Sequence, residues 1–173
     1  MTSCDWNTRR HGICFMTDAA ADQLTIRTKV RHAKLMASWQ DVHRLVLAFP
    51  DTREGTSSRG QRAWTVNEKG FAWERPLRPK DLQALGAAAP TGPVLAVRTP
   101  DLEMKEALLL SDPAVYFTTP HFDGYPAILI RLEIIKLRQL KALLSEAWLA
   151  RAPKRSQERF LKRSVNVSRS SRR

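Results

Sequence analysis

Within residues 118–126 the chain crowds Thr118, Thr119, His121, Asp123 and Tyr125 around two prolines, so polar, acidic, imidazole and phenolic groups meet in nine positions. His121 and Asp123 stand two apart and could turn to one side, where an imidazole and a carboxylate orient a ligand or relay a proton. Thr119, His121, Asp123 and Tyr125 are accordingly the candidate ligand loop. Pro120 and Pro126 fix φ and press their predecessors toward extended geometry, and Gly124 after Asp123 can take a positive φ. The loop is shaped, not slack. Catalysis would also ask for a nucleophile or held water and an oxyanion pocket, and no triad is present, so no catalytic residue is assigned. A positioning role for His121 ranks ahead of proton transfer. Thr118 and Thr119 read as turn and strand-end hydrogen-bonding groups, and Phe122 and Tyr125 as the rings that pack the loop. The four histidines are scattered without metal-ligand spacing, and no glycine-rich phosphate loop occurs. No metal, no cofactor and no reaction are expected.

A second set is electrostatic. Between residues 59 and 80 stand six cations, Arg59, Arg62, Lys69, Arg75, Arg78 and Lys80, against Glu68 and Glu74, a local +4. Residues 36–152 as a whole carry 15 Lys+Arg and 13 Asp+Glu, so charge is segregated inside this region. Such a wing, carrying Trp64 and Trp73, could lie along DNA with its cations on phosphates. Alternation favours both rings turning into a core, which still leaves the cations outside. The formal charge of +12 is otherwise concentrated at the ends, with +3 in residues 1–35 and +7 in residues 153–173. The Ser/Arg-rich stretch 154–173 is read as a disordered tail after a short helical turn, either solubilising or a nonspecific arm for phosphates.

The elements that must hold these groups are legible from periodicity. Ser38 and Asp41 form a capping-box-like start, and Val42, Leu45, Val46 and Phe49 fall on one helical face ended by Pro50. The runs 62–66 and 71–75 alternate around Asn67, Glu68, Lys69 and Gly70 and read as a β-hairpin. A short helix follows from Pro79 with Leu82 and Leu85, ending at Gly86. Residues 94–97 read as a strand, and Thr99-Pro100-Asp101 opens a helix whose Leu102, Met104, Ala107 and Leu108 would face the core. Strands at 115–117 and 127–132 flank the candidate loop. The last element is a helix near 136–151 with Leu137, Leu140, Leu144 and Trp148 on one stripe. Strands joined by tight turns beside interspersed helices imply an α+β fold, an antiparallel sheet with helices packed against it.

Composition excludes other classes. No apolar run approaches the roughly 20 residues of a membrane-spanning helix, and the first residues lack a signal-peptide core, so the expectation is a cytoplasmic protein with no membrane partner. Cys4 and Cys14 both lie in the first segment, which suits a reducing compartment.

The segment from Met36 through Val42, the hairpin ending Phe71-Ala72-Trp73, the helix from Asp101 to Leu109, and above all FTTPHFDGYPAILIRL with Glu146-Ala147-Trp148 and Ala152-Pro153, resemble the MmcQ/YjbR family. The resemblance covers residues 36–153. It implies a small α+β fold compared with double-wing DNA-binding domains and similar to secretion-chaperone-like domains, and a DNA-binding function that rests on fold analogy. It carries over no catalytic set. Members begin close to the first helix, so residues 1–35 are expected to be an upstream start that displaces initiation from Met36 to Met1, a disordered extension, or a regulatory arm, in that order. The resulting reading is a non-enzymatic protein that binds DNA weakly through the hairpin wing and basic tail. The rivals are a small-ligand protein or enzyme using the loop from His121 to Tyr125, and a protein-interaction adaptor.

Overall fold

The structure, a computed structural model, describes residues 36–57 and 59–170, with side chains as far as Lys162. The reading of residues 1–35 lies outside them. The first helix, α1 (Trp39–Leu47), starts where the sequence places its cap: the Ser38 hydroxyl accepts from the Asp41 N–H, and the Asp41 carboxylate accepts from the Ser38 N–H at 3.1 Å. Val42 and Val46 are fully buried and Phe49 follows them into the core. Asp51, at φ 55°, then turns the chain into β1 (Thr52–Thr56). Nothing in the sequence marks this strand, because its residues are polar and mostly exposed and show no apolar alternation.

The hairpin is β2 (Arg62–Val66) and β3 (Lys69–Glu74). Asn67 and Glu68 both take positive φ, 48° and 63°, and Val66 pairs with Lys69. The expected four-residue loop is thus a two-residue turn of the kind whose twist matches paired strands. A register shift between Trp64 and Thr65 lets both Phe71 and Ala72 reach the core. Next come α2 (Pro79–Leu85), β4 (Val94–Arg98), α3 (Leu102–Ser111), β5 (Tyr116–Phe117), β6 (Ala127–Arg131) and α4 (Leu137–Leu149). The six strands form one antiparallel sheet in the order β1-β2-β3-β4-β6-β5.

The sheet has two unequal faces. On one, Trp64, Phe71, Leu95, Ile128 and Ile130 pack with residues of α1 and α4, including Leu140, Leu144 and Trp148. On the other, Val94, Ala96, Phe117, Ala127 and Leu129 lie with Phe122, Leu77, Leu85 and Trp73. That second layer covers β4, β6 and β5, whereas Ala63 and Thr65 of β2 remain only half-buried there. The smaller cover on one half of the sheet creates the cleft described below.

Three expectations are corrected. In α3 it is Lys105 that is buried, while Leu102 and Met104 are exposed, because the helix packs through its Lys105–Leu108–Leu109 side. In α2 the buried residue is Asp81 and Leu82 is exposed. The stretch read as a disordered tail forms α5 (Lys154–Ser170), anchored by Phe160, whose ring lies 5.5 Å from Phe49 and 5.2 Å from Trp148. Among the described residues no helix is long and apolar enough to cross a membrane.

Candidate functional site

The two constellations separated in the sequence meet in one place. A cleft of about 950 Å³ opens on the less covered face of the sheet. Arg59, Arg62, Arg75 and Arg78 line it from the hairpin side, and His121, Phe122 and Tyr125 from the loop. Trp73, Ala63 and Gly70 belong to its floor, and Arg98, at the end of β4, is a fifth arginine in the lining. Glu74 is the one carboxylate among the lining residues. The remaining candidates stand apart: Lys69, Lys80 and Asp123 are exposed elsewhere, and Thr119 is buried behind the wall.

The arginines differ in what already holds them. Arg75 is buried, its Nη2 donating to Asp81 Oδ2 at 2.8 Å, its Nη1 donating to the Pro76 carbonyl, and its guanidinium 5.5 Å from the Phe122 ring centroid. Burial pushes the Asp81 carboxyl up, but the Arg78 backbone N–H, at 2.9 Å, and the Arg75 guanidinium outweigh it and hold its pKa below the ordinary value. Arg75 is therefore a fixed part of the wall, and the Asp81 carboxylate that holds it also caps the start of α2. Arg62 lies 5.3 Å from the Trp39 ring centroid and 3.8 Å from the Glu74 carboxylate, so its charge is partly met.

Arg59, Arg78 and Arg98 are the cations left over. Among the described residues none of them pairs with a carboxylate. Arg98 is half-buried with its guanidinium 4.0 Å from the Tyr125 ring centroid. Burial pushes its pKa down, Tyr125 opposes this, and the neighbouring charge of Arg151 reinforces it. A desolvated cation without an anion is a place where a bound phosphate gains a strong, charge-assisted contact.

The loop is built to hold its rings still. Pro120–Phe122 forms a 3₁₀ turn, with the Phe122 N–H donating to the Thr119 carbonyl at 2.8 Å, and Gly124 takes φ 64°. Lys105 reaches in from α3 and donates to the carbonyls of Phe122 and Tyr125. Phe122 is buried and its ring stacks near Trp73 at 6.3 Å, so it packs the loop as expected. Tyr125 does so only in part, being 40% exposed, and His121 is exposed with its ring edge-on to Phe122. Trp64 is fully buried in the main core, whereas Trp73 points to the opposite face and borders the cleft.

Comparison with known proteins bears on this arrangement. The family model described as YjbR matches residues 47–150. The chain belongs to the YjbR family. The YjbR match contains every cleft residue named above. Uncharacterized proteins of Mycobacterium bovis (Mb2600) and Mycobacterium tuberculosis (Rv2570) are each 48% identical over 132 residues, which cover 75% of this chain and 99% of theirs. Among solved structures, the Deinococcus radiodurans protein DR2400, with a DUF419 domain, superposes with a TM-score of 0.51. It is 15% identical, over 66% of this chain and 78% of that one. This YjbR protein and DR2400 thus share a fold.

Arg98 and Lys105 were missed in the sequence. Each is a single cation in a near-neutral stretch, and only the pairing of β4 with β6 and the packing of α3 bring them to the loop.

Proposed function

We propose that this YjbR protein binds DNA by its phosphate backbone, at the arginine-lined cleft and not along the outer edge of the hairpin. One observation carries the reading: five arginines and one glutamate are among the residues lining a single cleft, and three of the five arginines, Arg59, Arg78 and Arg98, are unpaired among the described residues. Backbone contacts of this kind are sequence-independent and respond steeply to salt. Lys69 and Lys80 lie outside the cleft and add long-range attraction only.

The test is a salt titration of binding with charge-reversed variants. Arg59→Glu and Arg78→Glu together should weaken DNA binding at least tenfold and reduce the slope of log K against log salt by roughly 0.9 for each duplex phosphate that is no longer engaged. Lys69→Glu should change affinity less than either. Equal effects from Lys69 and Arg78, or none from either, would move the site away from the cleft. A phosphorylated small molecule is the second reading, because the volume falls within the range of ligand pockets.

A further inference from the structure

We infer that the cleft prefers single-stranded over duplex DNA and takes unstacked bases against Tyr125 and Trp73; this rests on the DNA-binding reading above. The unpaired cations do not ride on a convex wing. They surround a recess whose interior is aromatic, with Tyr125 40% exposed and Trp73 half-buried along its lining. In a duplex the bases are stacked inside and their faces are unavailable, so a double helix could place phosphates on the rim but nothing on the rings. A single strand can turn a base inward while its phosphates stay outside, and base–aromatic stacking tolerates any sequence.

Three features of the recess fit that occupant. Its floor is kept low by small residues: Gly70 and Ala63 line it, and a Cβ added at Gly70 would meet no atom within 4 Å. The room is left by the sequence at the place where a larger residue would fit without clash. The rings are held before any ligand arrives, since Lys105 binds the carbonyls of both Phe122 and Tyr125 and Phe122 stacks near Trp73. Finally, the Arg98 guanidinium lies over one face of the Tyr125 ring at 4.0 Å from its centroid, so a base would stack on the opposite face with this carboxylate-free cation on the far side of the ring. A mononucleotide would use that one position, whereas a strand also reaches Arg59 and Arg78 across the cleft.

The experiment measures binding of the full chain to a fluorescent strand of roughly 20 nucleotides and to the same sequence as a duplex, at about 50 and 200 mM salt. The expected result is at least tenfold tighter binding of the single strand. Tyr125→Ala should reduce that ratio on the order of tenfold, and Tyr125→Phe, which keeps the ring, should retain it. Because Tyr125 is partly exposed, the folded state of the variants can be verified from their thermal unfolding. Equal affinity for strand and duplex would overturn the preference while leaving DNA binding intact. No binding of either would overturn both readings. A mononucleotide that competes as well as the strand, mole for mole, would also overturn the preference and assign the cleft to a small phosphorylated ligand.

Discussion

Arg75 and Asp81 show how position changes the meaning of a residue type. Both are nearly buried, at 7% and 5% exposure, and their 2.8 Å contact joins the end of the hairpin to the start of α2. In the sequence Arg75 belongs with the free cations; in the fold its charge is already neutralised. Removing one partner of a buried pair leaves the other charge stranded, so Asp81→Asn should lower stability by about 3 kcal/mol in urea unfolding. Replacing both, as Arg75→Met with Asp81→Asn, whose amide oxygen can still accept from the Arg78 N–H, should recover part of that loss. A double variant less stable than Asp81→Asn would reject the ion-pair account. His121 gives the contrasting case. It is exposed, and replacing it should leave stability nearly unchanged.

At the scale of elements, α1 and α4 follow their apolar stripes, and α5 shows where a stripe is not enough. Its sequence is so basic and so poor in large apolar groups that ordering it alone looks unfavourable. What orders its first turns is a partner far away in sequence. Asp51 accepts from the Ser156 hydroxyl at 2.6 Å and from Arg159, while Phe160 sits against Phe49 and Trp148. The Ser156 hydroxyl, then Arg159, hold the Asp51 carboxyl below its usual value of 3.8. With the folded pKa depressed, this contact stabilises docking above the unfolded value and loses that contribution as pH falls through the folded one. Amide protection factors across 154–162 should therefore fall more on acidification below about pH 4 than those of the rest of the domain. Asp51→Asn should remove that difference. An unchanged pH profile in the variant would show that Asp51 is not the responsible group.

For the whole molecule, the formal charge of +12 is unevenly placed: residues 153–173 carry 8 Lys+Arg and one Glu. Lys154, Arg155 and Lys162 are exposed. If the C-terminal charge adds attraction for DNA, neutralising these three to Gln should reduce affinity and salt dependence without changing the unfolding midpoint. Deleting the segment is a poorer experiment, because Phe160 would be lost from the core along with the charge. Affinity unchanged in the Gln variant would show that these three cations take no part in binding.

Local rules determined much of the architecture before any tertiary contact is considered. The Ser38 capping box, the turn between β2 and β3, the 3₁₀ loop with Gly124 at positive φ, and the alternation of Ile128, Ile130 and Leu132 all act over a few residues, and such signals survive in a linear reading. The family resemblance was legible for the same reason, since its motifs are contiguous. The polar edge strand β1 was not, because pairing with β2 and not its own composition makes it a strand. The burial of Lys105 was likewise hidden, since its reason is two carbonyls 17 and 20 positions away. The site itself belongs to the same class. Cations around the hairpin and rings around His121 were both visible as separate sets, but one cleft requires β3, β4 and β6 to lie side by side and one half of a sheet face to stay thinly covered. Sequence spacing records neither condition, because both depend on contacts between residues far apart along the chain.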